Sequence, residues 1–217
     1  MASITRRARS STDRRAEVES RLLETTVRLL AGGERFTELG VQRIAAEAGV
    51  ARSSFYVHFP DKTALLVRLT GDLHQKSYEL VSAWQQDESA DTLESLLAVY
   101  RGVVTLYREN RVLLAAINEV AAYDPIVRQA WAAQLGWFAD GTAARLRQDQ
   151  DRDLAPADLD PAAATRVIVA GGAQAIVQHI TDDDGTGDEA LTRELALIFW
   201  HGAFRRPPGD PAELEKR

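Results

Sequence analysis

Hydrophobic residues recur along this chain at spacings of three and four, the period expected of amphipathic helices. Val18, Leu22, Leu29 and Leu30 show this spacing and predict a first helix from about Arg15 to Ala31. No segment has the alternation of apolar and polar residues that a half-buried strand requires. The pattern therefore predicts an all-α fold with about nine helices.

Two short helices follow the first one and are separated by a tight turn. Residues Val41 to Ala48 predict the second helix, and residues Arg52 to His58 predict the third. Gly49 lies between them and supplies the permissive backbone that a helix end needs. Because the turn is so short, the two helices must cross at a steep angle, as they do in a helix-turn-helix motif.

Capping residues mark the starts of the later helices. Asp124 and Asp160 each precede a proline, which places an N-cap acceptor before the residue favoured at the first helical position. Asp91 followed by Glu94 has the spacing of a capping box. Beyond a long helix that begins near Lys62, the predicted helices span about Asp91 to Tyr107, Val112 to Ala121, Pro125 to Gln150, Pro161 to Ile180 and Asp188 to Phe204.

The net charge of −6 is unevenly distributed along the chain. Residues 1–68 carry 12 Lys and Arg against 8 Asp and Glu, so this part is +4 and the remainder is −10. A basic part joined to a larger acidic part suggests a nucleic-acid module attached to a domain with another task. The first fifteen residues contain one acid, Asp13, and five arginines: Arg6, Arg7, Arg9, Arg14 and Arg15. This arm is either a disordered tail without a role or a flexible arm that contacts phosphates or the minor groove.

Several classes of enzyme and metal site do not fit the sequence. The chain has no cysteine, which excludes disulfides, thiolate zinc sites and cysteine nucleophiles. The acidic run Asp182 to Asp184 fails the calcium-loop pattern, because Ile180 and Leu191 occupy the positions of its first Asp and last Glu. We interpret this run as a solvated linker. Metal-ligand spacing is lacking at the four histidines, His58, His74, His179 and His201. We expect no enzyme activity, no metal and no cofactor.

The composition, 45% hydrophobic and 27% charged residues, is ordinary for a globular protein. The basic amino terminus has no apolar run behind it, so it does not have the pattern of a signal peptide. No uncharged stretch of about 18 residues could span a bilayer. We expect a cytoplasmic protein without a membrane partner.

Residues 15 to 70 resemble the DNA-binding domain of the TetR family of transcriptional regulators. The matching segments occur in the family's order and are Phe36, Thr37 and Leu39, then Ile44 to Val50 (IAAEAGV), then Phe55 to Phe59 (FYVHF), and finally Lys62 with Leu65. The length of the chain and its acidic helical remainder also suit that family. The closing segment ALIFWHGAF is similar to the family's ethionamide-regulator-like members.

The resemblance implies DNA contacts by residues of the motif. Base contacts are expected from the start of the recognition helix and from the preceding helix, at Arg52, Ser53, Ser54 and Gln42. Arg52 is the best candidate, because its planar guanidinium matches O6 and N7 of guanine. Phosphate contacts that hold the recognition helix in register are expected from Tyr56, His58 and Lys62.

Two positions depart from the family pattern. Gly40 and Ala51 stand at the N-caps of the two motif helices, where the family commonly has Ser or Thr. Glycine costs little as a cap, whereas alanine loses roughly 1 kcal/mol. Backbone N–H groups at these helix ends still face phosphates, so we expect weaker anchoring and not lost binding.

The larger domain of this family binds a small hydrophobic or amphipathic inducer between its helices, and aromatic walls with a few polar groups suit such a pocket. Aromatic residues of this domain are Trp84, Tyr100, Tyr107, Trp131, Trp137 and Phe138. The predicted ligand-binding residues are Tyr107, Asn118, Trp131, Phe138 and Gln174. For each aromatic residue the alternative is ordinary core packing.

The last two helices are predicted to form a dimer interface, because family members pair these helices with those of a second subunit. Small residues in Ala162 to Ala164 and Ala170 to Ala173 would allow close approach of two backbones. The predicted interface residues are Val167, Gly171, Ala175, Leu195, Ile198, Phe199 and Gly202. Core packing within one subunit is the alternative for each of them.

These expectations combine into one predicted function. A homodimer binds a palindromic operator in double-stranded DNA, and a small-molecule inducer releases it by shifting the long helix that begins near Lys62. The alternatives are a ligand-independent or activating regulator, and a helical small-molecule carrier. The predicted domains are a disordered basic arm (1–14), a helix-turn-helix domain (15–61), a ligand-binding and dimerisation domain (62–205) and a flexible tail (206–217).

Overall fold

The computed structural model describes residues 11–86 and 92–207, and this part of the chain forms nine helices without a β-strand. In chain order they are α1 (Ser11–Ala31), α2 (Val41–Glu47), α3 (Arg52–His58), α4 (Lys62–Gln86), α5 (Leu93–Glu109), α6 (Arg111–Ala121), α7 (Pro125–Asp151), α8 (Pro161–Arg166, Val167–Gly171 and Gly172–Asp182) and α9 (Asp188–Phe199 and Trp200–Phe204). The predicted all-α fold is confirmed.

The starts of α1 and α5 differ from those predicted. α1 begins at Ser11, so residues 11–14 of the predicted arm are helical, while residues 1–10 lie outside the described part. Residues 208–217 of the predicted tail also lie outside it. The N-cap of α5 is Thr92, which forms a reciprocal capping box with Ser95; the predicted cap, Asp91, is outside the described residues.

The caps predicted for α7 and α8 are present. Asp124 Oδ1 accepts a hydrogen bond from the N–H of Ile126 at 2.8 Å, and Asp160 Oδ1 accepts one from the N–H of Ala162 at 2.9 Å. Each proline that follows occupies the first helical position, where its missing N–H costs nothing. The local sequence therefore fixes where these two helices begin.

Helices α1 to α3 and the start of α4 share a compact hydrophobic core, which we call the head. Its fully buried side chains are Leu22, Phe36, Leu39, Ile44, Phe55, Leu65 and Leu66. Gly49 has a positive φ of 67°, so it ends α2 in the left-handed conformation that a side chain would disfavour. Val50 then turns back against the core, and its N–H donates to Ala45 O at 3.0 Å.

The remaining helices pack around α4, which crosses from the head into the second domain. α4 lies most extensively against α7, while α5 packs on α9 and α7 packs on α8. Buried side chains that join these helices include Leu73, Trp84, Val104, Leu146 and Ala196. No helix among the described residues is long and apolar enough to cross a membrane.

A buried ionic network closes the end of this domain distant from the head along α4. Arg145 Nη1 donates to the carbonyl oxygen of Trp84 at 2.8 Å, and its guanidinium lies 4.9 Å from the centre of the Trp84 ring. Arg205 Nη1 lies 2.9 Å from Asp149 Oδ2, and Arg145 Nε lies 3.9 Å from Asp149 Oδ1. The network ties α4, α7 and the end of α9 together.

Both α8 and α9 contain a π-helical turn, at Val167–Gly171 and at Trp200–Phe204. Such a turn inserts one residue into the helical repeat and therefore rotates the side chains that follow it. π-Helical turns are frequent at functional sites. In this protein they occur in the two helices that were predicted to form the dimer interface.

Candidate nucleic-acid interface and interior cavity

The exposed side of α3, together with Gln42 of α2, forms a surface that we call the contact surface. Arg52 and Ser53 are exposed at the start of α3, and Tyr56 is 46% exposed one turn later. Phe55 faces the opposite direction and is fully buried, which fixes the rotation of this short helix. Ser54, also predicted to contact a base, is only partly exposed.

Val57 is a residue of the contact surface that the sequence analysis missed. It is 64% exposed, an unusual environment for a large apolar side chain. Its position two residues after the buried Phe55 was the available signal, because that spacing places it on the opposite side of a helix. An apolar side chain in this position is suited to contact the methyl group of thymine.

Arg52 and Tyr56 interact with each other on this surface. Arg52 Nη2 donates to Tyr56 Oη at 3.3 Å, and the guanidinium carbon lies 5.7 Å from the centre of the tyrosine ring. The two residues are four positions apart, so their side chains are neighbours on the same side of α3. The contact holds the guanidinium against the helix, and Arg52 remains exposed.

His58 and Lys62, both predicted phosphate contacts, differ in accessibility. His58 Nδ1 is buried and has no hydrogen-bond partner among the described residues, so only the other ring nitrogen could meet a phosphate. Lys62 Nζ donates to three backbone carbonyls, those of Phe36 at 3.0 Å, Thr37 at 2.8 Å and Leu39 at 3.2 Å. Lys62 therefore has its ammonium engaged within the protein, and its predicted phosphate contact would compete with these three hydrogen bonds.

The three carbonyls that bind Lys62 belong to the loop before α2, residues 35–39, which we call the junction loop. Glu119 of α6 holds the same loop from the other side, since its carboxylate pairs with Arg35 and accepts a hydrogen bond from Thr37 Oγ1 at 3.2 Å. Burial lowers the pKa of Lys62, and the nearby Glu119 carboxylate opposes that shift. The junction loop thus connects the head to both α4 and α6.

A cavity of ≈ 90 Å³ lies inside the second domain, between α4, α5, α7, α8 and α9. Its walls are almost entirely apolar. The lining residues are Ser77, Val81, Trp84, Leu96, Val99, Tyr100, Val103, Tyr107, Leu135, Phe138, Thr142, Ile168, Val169, Gly172, Ala173, Ile176 and Phe204. None of these described residues carries a charge.

Only two of the five predicted ligand-binding residues line this cavity, Tyr107 and Phe138. Asn118 and Gln174 are exposed on the outer sides of α6 and α8, because the helical period places their buried neighbours Ile117 and Ile176 on the inner side. Trp131 packs near Tyr107, with ring centres 6.2 Å apart, but does not reach the cavity. These three residues do not line this cavity, and their role in ligand binding stays a prediction.

The sequence analysis did not predict most of the polar side chains at the cavity. Gln134 Nε2 donates to Tyr107 Oη at 3.2 Å, Tyr107 also bonds to Ser77, and Ser77 Oγ donates to Leu73 O at 2.9 Å. Burial raises the pKa of Tyr107 to about 12, so its hydroxyl stays protonated. Ser77 and Thr142 give no signal in the sequence, since a hydroxyl in a helix usually bonds its own backbone.

The predicted dimer residues divide between the outside and the interior. Val167 is 68% exposed and Ile198 is 60% exposed, and Gly171 and Gly202 lie beside them on the outer sides of α8 and α9. Ala175 is half-buried at the edge of this surface. Leu195 and Phe199 are buried in the subunit's own core, four residues apart on the inner side of α9, so the prediction is wrong for them.

The acidic linker is part solvated and part ionic cluster: Asp182 and Asp184 are exposed, as the sequence suggested, whereas Asp183 takes part in a cluster with Arg108, His179 and Asp188. Arg108 Nη2 binds Asp188 Oδ1 at 2.5 Å and lies 3.6 Å from Asp183 Oδ1. His179 Nε2 lies 2.9 Å from Asp188 Oδ1. Possible metal-ligand atoms of His179, Asp183 and Asp188 lie within 4.8 Å of one another, and the Arg108 guanidinium pairs with both aspartates. Its hydrogen bonds lower the pKa of Asp188.

Comparison with known proteins identifies the head. Residues 22–69 match the family model described as bacterial regulatory proteins, tetR family. The chain is 29% identical over 208 residues to the HTH-type transcriptional regulator EthR of Mycolicibacterium smegmatis, an alignment that covers 94% of this chain and 92% of EthR. The similarity therefore extends through both domains.

Solved structures share the whole fold at low sequence identity. NalD, described as the secondary repressor of the MexAB-OprM multidrug efflux pump in Pseudomonas aeruginosa, superposes with a TM-score of 0.70 at 18% identity and covers 88% of this chain and 98% of its own. FadR from Bacillus subtilis, solved in complex with stearoyl-CoA, has a TM-score of 0.68 at 18% identity, with 83% and 96% covered.

Proposed function

The chain belongs to the TetR family of transcriptional regulators, and from this we propose that it is a repressor that binds a palindromic operator as a homodimer and is released by a small apolar ligand. The observation that carries the proposal is the path of α4. This helix begins at Lys62, which is bound to the junction loop, and lines the cavity at Ser77, Val81 and Trp84. One continuous helix therefore connects the head to the cavity.

DNA recognition is assigned to the contact surface. Arg52, with Ser53, Ser54 and Gln42, is proposed to contact base edges, and Val57 to contact a thymine methyl group. Tyr56 and His58 are proposed to contact phosphates and so fix the register of the recognition helix. Lys62 is proposed to act indirectly, because its hydrogen bonds to the junction loop set the position of the head on α4.

Dimer formation is supported by the exposed apolar surface on α8 and α9. Val167 and Ile198 expose most of their side chains there, next to Gly171 and Gly202, which let two backbones approach closely. A symmetric pair would present two recognition helices to the two half-sites of a palindrome. We propose that this surface, without Leu195 and Phe199, is the homodimer interface.

The small size of the cavity supports the proposal that a ligand changes the conformation of the protein and so releases it from the operator. At ≈ 90 Å³ it is smaller than a cavity of about 150 Å³ that holds benzene, and small-molecule sites usually measure about 300 Å³ or more. A ligand of ordinary size must therefore separate the helices that line the cavity. The ligand then binds the expanded state better than the present one, which is the differential affinity that a switch requires.

The repressing direction is proposed from related proteins. NalD is described as a repressor, and FadR of Bacillus subtilis is described in complex with stearoyl-CoA, an apolar chain with a polar head. Their identities to this chain are low and support only the fold.

The test begins with selection of an operator from a pool of random duplex DNA, using the purified full-length protein. Apolar compounds are then screened for release of that operator. The affinity of an active compound is finally measured for the free protein and for the protein–operator complex. Because coupling between two sites is reciprocal, we expect the operator to weaken binding of the compound by about 5- to 150-fold.

Other outcomes distinguish the remaining functions. Equal affinity of the compound with and without operator would contradict ligand-controlled release and favour a ligand-independent regulator. Tighter operator binding with the compound present would indicate an activating or co-repressed regulator. Ligand binding without any selected operator would favour a carrier, and the proposal would then be wrong.

A further inference from the structure

The cavity and the exposed apolar surface of α8 lie on opposite sides of one helix. Ile168 lines the cavity, whereas its neighbour Val167 is 68% exposed. In the same way Gly172 lines the cavity, and its neighbour Gly171 is exposed. A helix with its side chains is about 10 Å thick, so a single layer of protein separates the cavity from the proposed dimer interface.

The other four helices that line the cavity, α4, α5, α7 and α9, are tied to one another by polar side chains. The ties are Gln85 Nε2 to Thr142 Oγ1 between α4 and α7, Gln134 Nε2 to Tyr107 Oη between α7 and α5, and Arg108 Nη2 to Asp188 Oδ1 between α5 and α9, at 3.3, 3.2 and 2.5 Å. Separating these helices would leave buried polar groups without partners, which is costly in free energy. We therefore expect the four helices to move together and not apart.

The middle of α8 lacks such ties. In the described part of the chain, the side chains of residues 161–177 form no hydrogen bond or ion pair, and the hydroxyl of Thr165 is buried without a partner. The polar contact of α8 lies at its carboxyl end, where His179 Nε2 is 2.9 Å from Asp188 Oδ1. The π-helical turn Val167–Gly171 is in the middle segment, and helices bend at such turns. α8 is therefore the wall that yields most easily when the cavity is filled.

We infer that filling the cavity presses the middle of α8 against the partner subunit, so that ligand binding and dimer formation oppose each other. The inference rests on the proposed function, which places the ligand in this cavity and the partner on α8 and α9. A close-packed interface loses favourable contacts when one side is pushed into the other. Because coupling is reciprocal, a free subunit binds the ligand more tightly than a subunit of the dimer does. A dimer that dissociates also loses the gain in affinity from holding the operator by two heads.

The test fills the cavity by substitution in the full-length protein, so it does not depend on knowing the ligand. Val103→Phe and Val103→Trp enlarge a side chain that lines the cavity from α5, one of the tied helices. Because the chain has no cysteine, Glu79→Cys on the exposed side of α4 gives one site per subunit for a fluorescent dye. Energy transfer then reports the rate at which donor-labelled and acceptor-labelled dimers exchange subunits. We expect exchange to accelerate with the size of the side chain, by at least about 5-fold in Val103→Trp, since changes in affinity appear mostly in the dissociation rate.

Val104→Ala is the matched control, because Val104 is the next residue of α5, is buried and does not line the cavity. It lowers the stability without filling the cavity and should keep the wild-type exchange rate. Circular dichroism shows which variants fold. If Val103→Trp does not, Gly172→Ala takes its place, since a Cβ atom there would lie 3.3 Å from the buried Phe199 ring and would push α8 away from α9. Gly172→Ala should also accelerate exchange, by less than Val103→Trp. A wild-type exchange rate in the folded variant, or equal acceleration in Val104→Ala, would overturn the inference.

Gly171→Trp separates this inference from the proposed function. It places a large side chain on the outer side of α8, where Gly171 is exposed, and should convert the dimer to monomers in sedimentation velocity. An unchanged dimer in Gly171→Trp would show that the proposed interface is wrong. Monomers in Gly171→Trp together with wild-type exchange in Val103→Trp would overturn the present inference alone and leave the proposed dimer in place.

Discussion

The head and the second domain place their functional groups in opposite environments. In the head, the candidate DNA-contacting side chains are exposed on one side of the seven-residue helix α3, and the buried Phe55 on the other side sets their direction. In the second domain, the candidate ligand-contacting groups are enclosed by five helices drawn from residues 77 to 204. The proposed DNA contacts of the head therefore depend on exposed side chains, whereas the proposed ligand contacts of the second domain depend on buried ones.

The same contrast applies to charged residues. Ion pairs of the head are on its surface, as between Arg43 and Glu47, whose side chains are 54% and 33% exposed. In the second domain Asp149 is 2% exposed and pairs with Arg145 and Arg205. A charge in water is replaced at little cost, whereas a buried charge that loses its partner is strongly destabilising. Sensitivity to mutation should therefore differ between the two regions.

The largest expected effect comes from breaking the buried network. Asp149→Ala should lower the free energy of unfolding by about 3–5 kcal/mol, because it leaves two arginines without their shared carboxylate. The measurement is urea denaturation at fixed protein concentration. Glu47→Ala is the matched control in the head and should cost no more than about 1 kcal/mol. Equal losses in the two variants would remove the distinction between the regions.

The next effect concerns DNA specificity. Arg52→Ala should weaken binding to the selected operator by about 1–3 kcal/mol, because a bidentate contact with guanine is lost, and should leave the stability unchanged. Arg68→Ala removes the same charge from an exposed surface pair and serves as the control. Electrophoretic mobility shifts with operator and random DNA measure both variants. Similar losses for both DNAs would show that Arg52 contributes only general electrostatic attraction.

An intermediate effect is expected where the two regions meet. Glu119→Ala removes the bonds from α6 to Arg35 and Thr37, and so releases one side of the junction loop. We expect the coupling between ligand and operator to change by about 0.5–2 kcal/mol, while operator binding without ligand changes little. Glu79→Ala, on the exposed side of α4, is the control. Unchanged coupling in Glu119→Ala would assign the communication to α4 and Lys62 alone.

The smallest effect is a pH dependence from His74. Burial lowers its pKa below the ordinary value of 6.5, so the unfolded chain binds its proton more readily than the folded protein. Above pH 6.5 His74 is neutral in both states and does not reduce the stability. The protein then loses stability as the pH falls from 6.5 through the lower pKa that His74 has in the folded state. His74→Phe should reduce the loss of stability between pH 7.5 and pH 5.5, measured by urea denaturation. Tyr78→Phe alters a neighbouring ring and should keep the wild-type slope.

The sequence predicted the helices and the head well, because the responsible interactions are local. Each signal acts within about one helical turn. These signals are the prolines after Asp124 and Asp160, the glycine at position 49, and the spacing of apolar residues. The N-cap of α5 is Thr92, although Asp91 was predicted. Either of these neighbouring polar residues could cap a helix, and the sequence did not show that Thr92 forms reciprocal hydrogen bonds with Ser95. The contact surface followed from motif order and from a single buried residue, Phe55.

The cavity and the junction could not be predicted in the same way. Tyr100 was visible as one aromatic residue among several, but its place in the cavity wall depends on packing against Phe199 and beside Gly172, more than 70 residues away. Lys62 fitted the family's motif, yet its ammonium binds three carbonyls of the junction loop. The packing of helices that are distant in the chain decides whether the Lys62 ammonium reaches backbone carbonyls or is free for a phosphate.

By itself, the sequence determined the helical fold, the helix boundaries to within a few residues and the position of the recognition helix. These features depend on helical period, capping and turn chemistry, which act between near neighbours. Only the tertiary structure decided which side of α8 and α9 is exposed, which residues line the cavity, and how the head is attached. Those properties depend on contacts between residues far apart in the chain, and burial then sets their energetic weight.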